Sequence, residues 1–363
     1  MSEPRTHIRS PYMEFAKLQS HARLNLATSG VEGYPLFELP VRIEDLEING
    51  PSYYGYEPLQ QRLGRHCAVD PASVVHAVGT SLANHLALAA CAEPGDDVLM
   101  EHPVYELIVT AARFLGLNVR YFKREFDNGF RIDPQEVERH MTPRTRLIVI
   151  TNLHNPSGVL TPDDTLRQLV EIARSNHARL LVDEVYLDMA FEHAPPTSFH
   201  LSPRDIVVTN SLTKTYGLSG IRCGWILADP DLARRIWRIS DLFCGIPAHP
   251  AERLSVIALD NLDRIRQRAE NLLTANRSLL NEFLSSRHDL SVVRNDYGTV
   301  AFPRLLKGEV GRFHDFLREK YETSIVPGRF FDMPRHFRIG VGGQTDMVKE
   351  GLRRLGAALD EFH

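Results

Sequence analysis

Between Val74 and Ala228 short β-branched runs alternate with stretches whose apolar residues recur at helical spacing, and this alternation constrains the fold more than any other feature. The runs are Val74-Val75-His76-Ala77-Val78, Asp97-Val98-Leu99-Met100, Arg146-Leu147-Ile148-Val149-Ile150, Leu180-Leu181-Val182, Ile206-Val207-Val208-Thr209 and Trp225-Ile226-Leu227-Ala228. Helical patterns are expected between them at about 82 to 92, 104 to 115 and 163 to 177. Strands joined by helices imply a largely parallel sheet covered on both faces.

The flanks differ. The stretch up to about residue 45 is expected to be irregular, with a proline-bearing segment at Tyr34-Pro35-Leu36. After Pro250 a long helical pattern runs to about 285. Strand-like runs at Leu290–Val293, Thr299–Phe302 and Phe337–Val341 then alternate with helices near 309 to 320 and 345 to 361, a second and smaller α/β unit. The expected organisation is an N-terminal arm and part of the small domain over 1–45, a large domain over 46–260, and a connecting long helix with the small C-terminal domain over 261–363.

A chain of 363 residues with a formal net charge of −4 and dispersed basic residues offers neither a nucleic-acid footprint nor a polybasic membrane patch. Cys67, Cys91, Cys223 and Cys244 lack paired spacing, so reduced thiols are expected rather than disulfides or a structural zinc site. No basic segment followed by an apolar one opens the sequence, and no eighteen apolar residues run together, so a cytoplasmic protein acting on small molecules is expected.

Ligands of open parallel sheets gather beyond the carboxyl ends of the strands. After the 74–78 run, Gly79-Thr80-Ser81 turns into a helix whose first amides favour an anion; Thr80 or Ser81 serves equally as a plain helix cap. After 146–150 a breaker-rich turn presents Asn155. Asp183 and Tyr186 follow the run at 180–182, and a carboxylate entering a buried strand end needs a specific partner, for which a structural arginine would also do. Between the last two runs, Ser211 to Gly224 sets Lys214 among hydroxyls and glycines, with Arg222 as a planar fork for an anion.

The pattern Ser-x-Thr-Lys-x-Tyr-Gly-Leu-x-Gly-x-Arg-x-Gly over 211–224 resembles the lysine motif of class I/II aminotransferases, pyridoxal phosphate (PLP) enzymes of fold type I, and the likeness covers most of the chain. It implies an α/β fold with a mostly parallel seven-stranded-type sheet between helices plus a smaller α/β domain. It makes Lys214 the residue of the internal aldimine, Asp183 the acid facing the pyridine nitrogen, and Asn155 and Tyr186 the donors to the ring hydroxyl. Thr80, Ser81, Ser211 and Arg222 would hold the phosphate, and Tyr105 would stack on the ring unless it is plain core. Tyr53 resembles the tyrosine that reaches the neighbouring subunit's phosphate in a homodimer, with Tyr54 as competitor. Arg338 resembles the arginine that grips the substrate α-carboxylate, and Gly30 the loop glycine that closes over it. Asn155-Pro156-Ser157-Gly158 varies the usual Asn-Pro-Thr-Gly, and Leu153 stands where a proline is common.

The resemblance implies transamination: an amino group moves from an L-amino acid to a 2-oxo acid through the Lys214 aldimine and pyridoxamine phosphate, with Lys214 as the base. Other PLP reactions that begin with the same carbanion (elimination, cyclisation, amino-acid oxidation) are the alternative. A non-catalytic PLP-binding sensor domain is remoter, since it calls for a DNA-binding module and no winged-helix pattern precedes the arm. No distal arginine for a dicarboxylic donor is evident over Leu242–Pro247, so aspartate is not the expected donor.

Overall fold

The structure, a computed structural model, describes residues 7–51, 53–193 and 197–362. Ahead of the main sheet come α1 (Pro11–Leu18), β1 (Leu24–Asn25) and α2 (Glu57–Cys67). The alternating region follows as β2 (Val74–Val78), α3 (Gly79–Cys91), β3 (Asp97–His102), α4 (Glu106–Phe114) and β4 (Asn118–Lys123). It continues with α5 (Pro134–His140), β5 (Thr145–Thr151), α6 (Asp163–Ser175), β6 (Arg179–Asp183), β7 (Ile206–Ser211) and β8 (Cys223–Leu227).

These strands form a seven-stranded sheet in the order β2-β8-β7-β6-β5-β3-β4, in which only β8 runs against its neighbours. Apart from the edge strand β4 the strands are buried on both faces, which is why they read as largely apolar runs. On β5, Ile148 and Ile150 join one core with Leu166, Leu169 and Val170 of α6, while Leu147 and Val149 join the other with Leu86 of α3 and Ile108 of α4. The buried residues of α6, Leu166, Leu169, Val170 and Ala173, fall three and four apart and make one apolar stripe.

The rest of the chain is α7 (Pro230–Cys244), α8 (His249–Asp260), α9 (Leu262–Ser286), β9 (Leu290–Ser291), β10 (Val300–Ala301), β11 (Arg304–Leu305), α10 (Val310–Tyr321), β12 (Thr323–Ser324), β13 (Val326–Pro327), β14 (Phe337–Gly340) and α11 (Thr345–Glu361). Leu280, Leu284, Phe313, Leu317, Leu352 and Leu355 form a separate core there. The arm joins it: β1 pairs in parallel with β12, and Leu26 sits in that core.

Several expectations change. The stretch up to residue 45 is not wholly irregular, because Ser10 caps α1 by accepting from the Met13 amide and Pro11 is preset for a first helical turn. The long helical pattern after Pro250 is two helices, parted at Asn261, whose φ of −117° and ψ of 19° leave the helical region. The strand-like run at 290–293 pairs only over Leu290–Ser291, and that at 299–302 only over Val300–Ala301. The helix expected from about 82 begins at Gly79, directly out of β2, with no side-chain cap, so Thr80 and Ser81 lie inside its first turn.

Candidate active site

Asp183 is the last residue of β6 and is buried. Its Oδ2 accepts from Asn84 Nδ2 at 2.8 Å and its Oδ1 from the Val185 amide at 3.1 Å. Asn84, on α3, is itself fixed by the Thr209 hydroxyl of β7, which donates to Asn84 Oδ1 at 2.6 Å. Burial pushes the Asp183 carboxyl up to about 6, against the pull of the Asn84 and Val185 donors and of the Lys214 charge. The acid's specific partner is therefore an amide rather than a structural arginine. Among the described residues these two donors are its hydrogen-bond partners, and a cation placed beside it in the pocket would be stabilised strongly.

The same pocket is lined by Thr80, Ser81, Ser211, Thr213 and Arg222. The turn from β2 into α3 is tied by the Gly79 amide, which donates to Arg222 O at 2.8 Å. A Cβ on Gly224 would stand 2.5 Å from the Gly79 carbonyl carbon, so a glycine at 224 lets β8 pass beside that turn and carry Arg222 to the head of the helix. The Thr80 and Thr213 hydroxyl oxygens are buried with no hydrogen-bond partner among the described residues. Unpartnered hydroxyls, the free amides of a helix N-terminus and a guanidinium together make an anion cradle.

Lys214, Tyr105, Asn155 and Tyr186 line the same pocket as the cradle and Asp183. The N-terminal arm closes over the lysine: the Val31 amide donates to Lys214 O at 2.8 Å, and a Cβ on Gly30 would meet Lys214 Cδ at 3.3 Å. Tyr186 donates to Ser29 Oγ of the same arm at 2.8 Å. Arg338 of β14 is fully buried; its Nη1 donates to Asn155 Oδ1 at 2.8 Å, and its Nη2 to Tyr12 OH at 2.9 Å and Ala27 O at 3.2 Å. All three acceptors are neutral, so the guanidinium is a buried cation lacking an anion among its hydrogen-bond partners. Tyr53 is not brought to this pocket: it is 77 % exposed, and its neighbour Tyr54 donates to Asp241 at 2.9 Å instead.

Seven of the residues lining the pocket were not among the sequence candidates, Tyr12, Met13, Ser29, Asn84, Thr151, Val185 and Thr213, and of these Asn84, Ser29 and Tyr12 hydrogen-bond to candidate residues. The Ser10-Pro11 pair marks the helix that carries Tyr12. Asn84 stands one helical turn beyond Thr80, on the same helix face, which is the signal that could have found it.

The residue set fits PLP. The orphaned hydroxyls and Arg222 suit its phosphate, the Asp183 carboxylate suits a protonated ring nitrogen, and Lys214 lines the same pocket. The model of the aminotransferase class I and II family matches residues 49–355. The chain is 28% identical over 354 residues to capreomycidine synthase of Streptomyces vinaceus, covering 93% of this chain and 90% of that protein. It is 27% identical over 355 residues to the arginine–pyruvate transaminase AruH of Pseudomonas aeruginosa, covering 91% and 89%. Its fold matches a PLP-dependent aminotransferase from Streptococcus suis with a TM-score of 0.91 at 24% identity, over 100% of this chain and 99% of that one. With the family model spanning most of its length, the chain belongs to the class I and II aminotransferases and is a PLP-dependent transaminase.

Proposed function

We propose that Lys214 bonds the cofactor aldehyde and is the base that moves the donor's Cα proton, and that Arg338 binds the donor's α-carboxylate. The observation that carries this reading is a buried guanidinium with only neutral partners, two of which, Asn155 and Tyr12, line the pocket that also holds Lys214 and Asp183. When bound, the cofactor supplies an aldehyde to carry the amino group and a ring that takes up the electron pair left at Cα.

The chain's own groups do the rest. Lys214 Nζ would take the Cα proton and hold it for return. Asp183 holds positive charge on the ring nitrogen, and Asn84 holds Asp183. Asn155 and Tyr186 would donate to the ring hydroxyl, the Tyr186 proton turning away from Ser29 Oγ, Tyr105 would stack on the ring, and Thr80, Ser81, Ser211 and Arg222 would bind the phosphate. Gly30 and the arm over Lys214 exclude water from the donor's carboxylate.

The donor is an L-amino acid, and the acceptor is a 2-oxo acid. Among the described residues lining the pocket the cations are Lys214 and Arg222, so a side-chain carboxylate has no cation of its own there, which supports a donor other than aspartate. We also infer a homodimer in which Tyr53 reaches the partner's phosphate. Exposed Phe37, Ile43, Ile48, Leu242 and Ile246 support it, as such residues rarely face water in number. The large unit over about 46–260 and the smaller C-terminal unit are read as domains, supported by their separate cores. The cytoplasm is the proposed location, in keeping with four free cysteines.

The test incubates the holoenzyme with single L-amino acids and no oxo acid. Stoichiometric pyridoxamine phosphate is the expected result. Continuous release of ammonia, or a cyclised product, would replace amino transfer with a lyase, oxidase or cyclase reaction, and a strong preference for aspartate would overturn the donor reading.

A further inference from the structure

Tyr12 is the feature of the pocket that the amino-transfer reading leaves without a task. It belongs to α1, at the pocket wall, and its ring packs edge-on to Tyr105 with centroids 5.3 Å apart. The helix is pinned there by Glu106 at the head of α4, which accepts from the Ser10 hydroxyl and, at 3.4 Å, from the Tyr12 amide.

A guanidinium grips a carboxylate best through two parallel N–H bonds from adjacent nitrogens. Either edge that offers such a pair uses Nη2, with Nη1 at the end or with Nε at the side. In Arg338 both Nη2 hydrogens are occupied, one by Tyr12 OH and one by Ala27 O, while Nε has no partner among the described residues. A carboxylate must therefore displace one of the two. Ala27 is main chain, and its own amide is held by Asn25 Oδ1 at 2.8 Å. Tyr12 is a side chain at the pocket wall.

We propose that Tyr12 occupies the carboxylate position on Arg338 in the substrate-free enzyme and is displaced by the incoming α-carboxylate, so that α1 regulates access to the substrate clamp. This rests on the reading of Arg338 as that clamp. The phenol keeps the buried guanidinium partly satisfied while the pocket is empty, and every substrate must outcompete it.

The groups facing Tyr12 are Arg338 of β14, Lys214, Tyr105 and, through the main chain, Glu106. In the unloaded protein burial raises the Tyr12 phenol, but Arg338 and then Lys214 outweigh it and leave it more acidic than usual; in the loaded enzyme Lys214 is bonded to the cofactor and Arg338 is the cation that still faces the phenol. As phenolate it would hold Arg338 more tightly still, so competition strengthens as pH rises.

The experiment is calorimetric binding of 3-phenylpropionate, a carboxylate without an amino group, to cofactor-loaded wild-type and Tyr12→Phe enzyme across neutral and alkaline pH. The variant should bind on the order of fivefold tighter at neutral pH. The wild type should lose affinity as pH rises, and the variant should lose less. Equal or weaker binding by Tyr12→Phe, or an unchanged pH profile, would overturn the proposal; Tyr12→Leu serves if the phenylalanine variant does not fold. Arg338→Met separates the two readings: retained binding refutes the clamp, whereas lost binding with no gain in Tyr12→Phe refutes only the displacement.

Discussion

Asn84 Nδ2 donates to Asp183 Oδ2 at 2.8 Å, joining the second turn of α3 to the last residue of β6 across 99 positions of sequence. The contact fixes the acid's orientation and partly offsets the burial that lifts its carboxyl from the usual 3.8 to about 6. A raised carboxyl means that the folded apoprotein binds a proton more tightly than the unfolded chain does. Its contribution to apoprotein stability is therefore full below 3.8 and is lost as pH rises through about 6. A protonated ring nitrogen requires the ionised acid, so cofactor affinity runs the other way. It should fall roughly tenfold per pH unit below about 6, and the thermal stabilisation of holoprotein over apoprotein should shrink between pH 7 and pH 5. A stabilisation independent of pH over that window would remove Asp183 from the ring nitrogen.

Replacing Asn84 by leucine keeps the volume and removes the donor. The Asp183 carboxyl should move further up, and the pH midpoint for cofactor binding should move up with it. At neutral pH the cofactor should dissociate on the order of tenfold more readily, as expected for losing a hydrogen bond to a charged group. Equilibrium titration of the apoprotein with PLP measures both effects. An unmoved midpoint would leave Asn84 as a packing residue only.

Lys214→Ala should abolish both the absorbance change on borohydride treatment and amino transfer, with turnover reduced by at least about a thousandfold. Asp183→Ala should keep part of the cofactor, because the phosphate cradle is untouched, yet lose most turnover. Single-turnover absorbance with an amino donor reads the two apart. Near-normal turnover in either variant would remove that residue from its proposed task.

The sheet was legible because its strands are buried on both faces and carry little but apolar side chains, as in Leu147–Ile150. The edge strand β4 was not, since Asn118, Arg120 and Lys123 face solvent and dilute the pattern. The helix α7 carried its signal in Asp229-Pro230: Asp229 accepts from the Leu232 amide and Pro230 opens the first turn. In the site, residues standing at strand ends could be read one by one, because the sheet itself brings Asn155, Asp183 and Lys214 together. Asn84 and Tyr12 were marked only by their helices, because what they do depends on facing an acid 99 positions away and an arginine 326 positions away.

Beside the site, the buried pair of Glu101 on β3 and Arg124 just past β4 ties three strands. Arg124 Nη1 donates to Glu101 Oε2 at 2.6 Å and Nε to Phe130 O at 2.6 Å, while Glu101 Oε1 accepts from the Thr151 amide of β5 at 2.6 Å. Burial alone lifts the Glu101 carboxyl to about 7 despite the arginine, which shows how costly the charge is to hold. Glu101→Ala leaves Arg124 buried with no carboxylate and the Thr151 amide with no acceptor. It should destabilise the protein by about 3–5 kcal/mol, whereas a double replacement of Glu101 and Arg124 by methionine should cost much less. Urea unfolding of the three chains checks the difference. Thr151 lines the pocket, so Glu101→Ala should also weaken cofactor binding, and a single variant as stable as wild type would mean that the pair contributes nothing to holding β3, β4 and β5 in register.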